Sequence, residues 1–350
     1  MKVLVTGGGG YIGVVLCSRL LDAGHDVRVL DRLYWGRVPL EQIANRIEIV
    51  QADVRSLEPR MLDGIDAIAH LAGLSNDPTA EYNPKANWEM NAEATEHLAA
   101  EAKRHGIKRF TFGSSASIYD GLGEGIFDEN APVEPRGAYS TSKFAAEQAL
   151  LRAADADFSP VILRQGTVYG FSPRMRLDLV VNTFIKDALL RGTLFLHGGG
   201  WMWRPLVDVM DVAETHVRML EADPSAVGGE VYNVVHDNYQ IRQLAMLVAG
   251  SLSMHDKRVK LEDAPMPSIN RNYRCANRKL QKRIGFTPQI TVLESIEGML
   301  KRLPLDDPSD LAHPRFYNIK WMTLLEEVVA THAVDRSVWS VNGVSAVPAS

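Results

Sequence analysis

Thr6-Gly7-Gly8-Gly9-Gly10-Tyr11-Ile12-Gly13 stands between a short apolar run at residues 3–6 and a helical pattern over residues 11–23. Gly7, Gly10 and Gly13 are spaced G-x-x-G-x-x-G. Between a strand and a helix, glycines at that spacing let the chain turn tightly, approach a pyrophosphate without a Cβ in the way, and pack the helix on the strand. The first helical turn, with Tyr11 and Ile12, then offers N–H donors and a partial positive charge to an anion. Asp31 closes the next apolar run, residues 27–31, where a carboxylate accepts hydrogen bonds from an adenosine ribose diol. The same carboxylate disfavours a 2′-phosphate, so NAD is the expected cofactor, with adjacent Arg32 keeping NADP as the alternative.

Working outward, residues 47–53, 67–71, 109–114 and 161–164 are further short apolar runs bounded by Gly, Asp or Pro, and read as buried strands. Residues 89–105 and 139–154 carry apolar side chains at helical spacing. Parallel strands need crossover connections, so this alternation predicts a doubly wound α/β fold, a Rossmann-type parallel sheet covered on both faces. After Gly166 the rhythm breaks into proline-rich stretches, including Pro173, Pro205, Pro265, Pro267 and Pro288, with a helix over 177–191. Strands at 205–207 and 231–235 are expected to return to the main sheet, with Asp211 and Glu214 opening a helix after the first. The expected division is a dinucleotide-binding domain over 1–165 with returning segments near 205–236. A smaller mixed substrate domain takes 166–204 and 237–312, and a C-terminal helix (319–331) and tail take 313–350.

The chain has 350 residues, 46% hydrophobic and 23% charged, with 38 basic against 43 acidic side chains. That balance, without a Lys/Arg block, argues against a nucleic-acid partner or a polybasic membrane patch. No 18-residue apolar run or signal-peptide pattern is present. Two isolated cysteines, Cys17 and Cys275, suit neither a disulfide framework nor a zinc site, so the cytoplasm is the expected compartment. The ten histidines form no metal-ligand spacing, and no metal is expected. His197-Gly198-Gly199-Gly200 lacks an accompanying G-x-S-x-G elbow and reads as a turn; Trp201 and Trp203 beside it read as core packing, with base stacking as the alternative.

Tyr139-Ser140-Thr141-Ser142-Lys143 opens a helical pattern, which puts phenol and ammonium on one face. A phenol is a poor base at neutral pH, but neighbouring positive charge stabilises the phenolate. Ser115, at the end of a strand, would meet Tyr139 and the glycine loop at the sheet edge where open α/β sheets bind ligands.

With these motifs the chain resembles the extended short-chain dehydrogenase/reductases, specifically the NAD-dependent sugar-nucleotide epimerase/dehydratase group, over about residues 1 to 300. The likeness also rests on Asp53-Val54, His70-Leu71-Ala72-Gly73, Asn91 with Thr95, Ser114-Ser115-Ala116, Leu163-Arg164, Val168-Tyr169-Gly170 and the stretch from Arg204 to Ala213. The resemblance implies that Asp53 and Val54 flank the adenine and that Leu71, Ala72, Gly73 and Asn91 belong to the cofactor site. It implies that Tyr139 is the acid/base, that Lys143 holds the nicotinamide ribose, and that Ser115 bonds the reacting sugar oxygen. Arg204 matches an arginine that grips the nucleotide diphosphate, a role suited to its forked donors. It further implies a homodimer through the helices at 89–105 and 139–154, with Ala92, Leu98, Ala99, Ala146 and Leu150 as apolar candidates.

Departures from the family pattern fall on the substrate side. Thr167 replaces a sugar-nucleotide-contacting Asn, Asp208 replaces a His, and Arg271-Asn272-Tyr273-Arg274 stands where R-x-G-D is usual. Ser117 and Ala116 occupy the place where 4,6-dehydratases of the family carry an Asp-Glu pair. The expected activity is NAD-dependent epimerisation of a nucleotide-diphosphate sugar. A one-way reductase or dehydrogenase of a keto-sugar nucleotide or other carbonyl compound is the alternative, and a redox-inactive dinucleotide-binding module the third.

Overall fold

Val3, Leu4 and Val5 are all fully buried, although successive side chains of a strand point to opposite faces. Such a strand must be covered on both sides: Val3 and Val5 join one hydrophobic core and Leu4 another. The structure, a computed structural model, describes residues 1–266 and 271–331; Pro267 and the tail beyond residue 331 lie outside them.

The strands in chain order are β1 (Lys2–Thr6), β2 (Asp26–Asp31), β3 (Ile47–Gln51), β4 (Ala67–His70), β5 (Arg109–Ser115), β6 (Ile126–Phe127) and β7 (Ser159–Gln165). They continue with β8 (Thr167–Tyr169), β9 (Thr193–His197), β10 (Trp203–Asp208), β11 (Glu230–Val234), β12 (Asp237–Gln240), β13 (Lys260–Ala264) and β14 (Arg274–Cys275). Seven of them form one parallel sheet in the order β3-β2-β1-β4-β5-β7-β11. This is the expected doubly wound α/β fold, and the order reverses between β1 and β4, where a ligand crevice opens outside the strand C-termini.

The helices Tyr11–Asp22 and Val209–Glu221 cover one face, and Ala94–Arg104 and Ala138–Ala153 the other. Leu98, Ala99, Ala146 and Leu150 belong to the core under the sheet, and Ala92 is 6% exposed. A homodimer through these helices would therefore have to use other side chains of theirs. The helix expected at 89–105 starts earlier: Pro84–Trp88 runs through a π-helical turn, Glu89–Glu93, into Ala94–Arg104.

Three expectations are corrected. The strand at 231–235 does join the main sheet, as β11, but the one at 205–207 does not. With β11 already on the edge beside β7, β10 pairs instead with β8 and β12 in a separate three-stranded sheet. The following helix is opened by Asp208, whose carboxylate accepts from the Met210 N–H at 2.8 Å, while Asp211 is turned to the Gln289 and Ile290 N–H groups. Trp201 is not core: it is 61% exposed, with the Arg242 guanidinium over its ring.

Beyond Gly166 the helices Val180–Arg191, Ile241–Ser253 and Val292–Leu300 pack around the small sheets. The last described helix, Asn318–Thr331, returns to the crevice and seats Met322 against Tyr34, Leu74, Ala86 and Met90. Among the described residues, no helix is long and apolar enough to cross a membrane.

Candidate active site

The glycine loop lies at the C-terminal end of β1. Gly7 has φ +74°, and a Cβ there would come within 2.7 Å of the Ala72 backbone nitrogen; one on Gly13 would come within 2.1 Å of the Gly7 carbonyl oxygen. Only glycine permits this close approach of helix and loops. No side chain caps the N-terminus of Tyr11–Asp22 and no acid stands in its first turn, so its N–H donors face the crevice.

A cleft of about 1080 Å³, open to solvent, runs along the strand ends. Gly7, Gly10, Tyr11, Ile12 and Gly13 line it, followed by Asp31, Arg32 and Val54, then Leu71, Ala72 and Gly73, and finally Tyr139 and Lys143. Asp31 accepts hydrogen bonds from the N–H groups of Gly9 (2.9 Å) and Leu33 (2.6 Å). Burial pushes its carboxyl up, against the pull of those N–H groups and of Arg174 and Arg32. Arg32 is ion-paired with Asp53 at 2.8 Å and lies over the Tyr34 ring.

Two expected cofactor residues do not line the cleft. Asp53 is buried between Arg32 and Arg55; burial raises its carboxyl, but hydrogen bonds from Arg55 and the charge of Arg32 hold it below the usual range. Asn91, in the π-helical turn, is fully buried and binds both the N–H and the carbonyl of Leu74, so it positions the loop that follows Gly73.

The Ser115 hydroxyl is hydrogen-bonded to the Tyr139 phenol and lies 2.9 Å from Ser117 Oγ. Ser117 Oγ in turn meets Ser140 Oγ at 3.0 Å. Burial raises the Tyr139 phenol; the Ser115 hydrogen bond and the charges of Arg271 and Arg176 act in the opposite direction, favouring the phenolate. Lys143 Nζ donates to the Gly113 carbonyl at 2.9 Å and sits over the Phe112 ring. Burial lowers its ammonium to about 8.

The expected substrate residues do not line the dinucleotide cleft, and of them Ser115 and Arg271 act on Tyr139. Arg204, on β10, donates to the carbonyls of Trp203 and Arg271, and Arg271 is ion-paired with Asp77. Thr167 heads β8 opposite Leu206, two residues along β10 from Arg204.

Among the cleft residues that sequence reasoning missed are Trp35, Arg174, Arg176 and Asn318. Arg174 and Arg176 stand in a proline-bounded irregular stretch that reads as solvated loop, yet they are 4% and 6% exposed. Nothing in the local pattern separates them from surface arginines.

The NAD dependent epimerase/dehydratase family matches residues 3–234, and the chain belongs to that family. It is 26% identical over 315 residues to a UDP-glucose 4-epimerase of Corynebacterium glutamicum, covering 85% of this chain and 93% of that one. It is 28% identical over 318 residues to UDP-glucuronic acid decarboxylase 4 of Arabidopsis thaliana, covering 86% and 68%. Among solved structures it resembles MoeE5 in complex with UDP-glucuronic acid and NAD, with a TM-score of 0.75, 26% identity and coverage of 87% and 100%. The protein is an NAD-dependent enzyme that modifies sugar nucleotides, and the glycine loop, Asp31 and the uncapped helix N-terminus fit that cofactor.

Proposed function

We propose that the enzyme inverts one carbinol carbon of a nucleotide-diphosphate hexose, with C4 as the centre, in a reaction that is redox-neutral overall. The observation that carries this is the poverty of acids beside Tyr139. Elimination of water needs an acid for the leaving hydroxyl and a base for the adjacent proton, in addition to the group that serves the oxidation. Ala116 has no titratable group, and Ser117, 1% exposed, is engaged with Ser115 and Ser140. Asp77, the carboxylate whose charge reaches Tyr139, is ion-paired with Arg271. One acid/base unit is what an epimerase requires.

The deprotonated Tyr139 accepts the proton of the sugar hydroxyl, and Ser115, bonded to the phenol, holds the same oxygen. Arg271 and Arg176 favour the phenolate before the proton arrives. NAD, held by the glycine loop and Asp31, would supply reversible hydride transfer at the carbinol carbon, with the keto sugar presenting either face. Tyr139 then gives its proton back to the carbonyl oxygen, which leaves protons and electrons balanced. Arg204 and Arg271 grip the diphosphate while the sugar turns over, since guanidinium forks keep their charge throughout.

Incubation of the purified protein with UDP-glucose, UDP-galactose, UDP-glucuronic acid and dTDP-glucose, followed by NMR and mass spectrometry, tests this. The expected product is an isomer of unchanged mass, formed without added oxidant or reductant. Loss of water, loss of carbon dioxide, or NADH released in step with product would overturn it.

A further inference from the structure

Arg174 lines the dinucleotide cleft from the loop that follows β8. It is 4% exposed, its guanidinium lies 3.8 Å above the Trp35 ring, and Nη2 donates to Asn318 Oδ1 at 2.6 Å. Its Nε and Nη1 are buried without a hydrogen-bond partner among the described residues. The neighbouring Arg176 is different, because Asp178 neutralises it through two hydrogen bonds at 2.9 and 3.0 Å. A guanidinium that is desolvated and left with unused donors is costly unless an anion completes it. Burial and the like charge of Arg176 bring even this guanidinium down to about 9.

What shares that space identifies the anion. The loop carrying Arg174 is tied to the start of the glycine-loop helix, because Ser172 Oγ donates to the Tyr11 carbonyl at 2.7 Å and the Tyr11 phenol donates to the Gly170 carbonyl at 2.7 Å. Arg174 and the residues at the uncapped helix N-terminus therefore line one cleft. Asp31 is close enough for its charge to act on Arg174, and a carboxylate there disfavours a ribose 2′-phosphate.

We propose that Arg174, held flat by Trp35 and by Asn318 of the C-terminal helix, clamps the pyrophosphate of NAD against the glycine loop. The cofactor is then gripped by the glycine loop and by the loop that follows β8. Asn318 also donates to Ser75 Oγ at 3.1 Å, and Trp321 Nε1 to the Tyr34 carbonyl at 2.6 Å, so the C-terminal helix braces the clamp across the cleft. The clamp rests on the chain's NAD dependence and is independent of which reaction follows.

Binding to the full-length protein, freed of nucleotide with charcoal, separates this role from a packing role. Calorimetric titrations with NAD, ADP, NADP and adenosine are compared for the wild type, Arg174→Met and Arg174→Lys, together with the melting temperature of each nucleotide-free protein. Methionine keeps the length and the contact with Trp35 but removes the charge. NAD and ADP should bind Arg174→Met about 10- to 100-fold more weakly, the range for loss of charge-assisted hydrogen bonds, with adenosine affinity unchanged. Arg174→Lys should recover part of the loss. The nucleotide-free melting temperature should hold or rise, since an uncompensated buried cation has gone. Four results would overturn the proposal: NAD affinity within about threefold of wild type, equal losses for adenosine and ADP, a marked loss of nucleotide-free stability, or a loss confined to NADP, which would assign Arg174 to a 2′-phosphate.

Discussion

Replacing Gly13 by alanine perturbs the site through backbone alone. The added Cβ would stand 2.1 Å from the Gly7 carbonyl oxygen, 2.7 Å from Gly8 Cα and 2.9 Å from the Gly7 carbonyl carbon. Side chains are packed to near-crystal density and these neighbours cannot rotate away, so the helix Tyr11–Asp22 must retreat by roughly 1 Å. Overpacking of this kind costs about 1–3 kcal/mol. In a chain of this size that lowers the melting temperature by roughly 2–10 °C. The retreat also carries the helix N-terminus away from its anion, and hydrogen bonds stretched by an ångström are lost. NAD affinity should fall about 100-fold or more, the loss of two such charge-assisted bonds. Gly10→Ala is the milder control, because its Cβ meets one atom, the Gly7 oxygen, at 3.1 Å. Thermal melts with and without NAD, paired with calorimetric titration, supply both numbers. A Gly13→Ala protein that bound NAD within about threefold of wild type would refute the placement of the cofactor on this loop.

Tyr139→Phe should reduce turnover by ~10²- to 10⁴-fold, the range for a positioned general base, while NAD affinity stays within about threefold. Lys143→Ala should weaken both turnover and NAD binding; steady-state kinetics and titration distinguish the two patterns. Asp208 tests the electrostatics of the fold. Burial raises its carboxyl to about 6, against hydrogen bonds from Ser295 and the Met210 N–H. Its folded-state value lies above its unfolded one, so the proton is held more tightly in the folded protein and the associated stability is lost as pH rises through about 6. Asparagine can still cap the helix and never ionises. The stability of Asp208→Asn relative to wild type should therefore improve by about 1–2 kcal/mol between about pH 5 and about pH 8, read from urea unfolding at each pH. A constant difference across that interval would show that Asp208 titrates normally.

The main sheet was legible because Val3, Leu4 and Val5 leave no face for water, and because Gly7, Gly10 and Gly13 mark the turn from strand to helix. The strand at residues 205–207 was legible, but its sheet was not, because local pattern cannot say which sheet a strand joins. That depends on β11 having taken the edge beside β7, a tertiary outcome. The candidate site was legible in part: Ser115 and Tyr139 meet as their positions at a strand end and a helix start imply. The cations that favour the phenolate include Arg271 and Arg176, which are remote in sequence. Trp35, Arg174 and Asn318 come from three separate segments, each unremarkable in isolation, and only folding brings them into one cleft. Asp53 shows the converse, a residue whose motif points to the cofactor and whose carboxylate is spent on Arg32 and Arg55.

A redox-neutral epimerisation run by a single acid/base at Tyr139 is tested most directly by the fate of the hydrogen on the carbon it inverts. A nucleotide-diphosphate hexose that turns over is supplied with deuterium at C4 and converted in ordinary water by the wild-type protein carrying its own NAD, and the product is examined by NMR. The expected result is the C4 epimer with deuterium retained on the same carbon, accompanied by a nicotinamide absorbance that rises and falls within each turnover and is absent in Tyr139→Phe. Deuterium lost to water, deuterium carried off in released NADH, or an epimer formed at undiminished rate by Tyr139→Phe would contradict it.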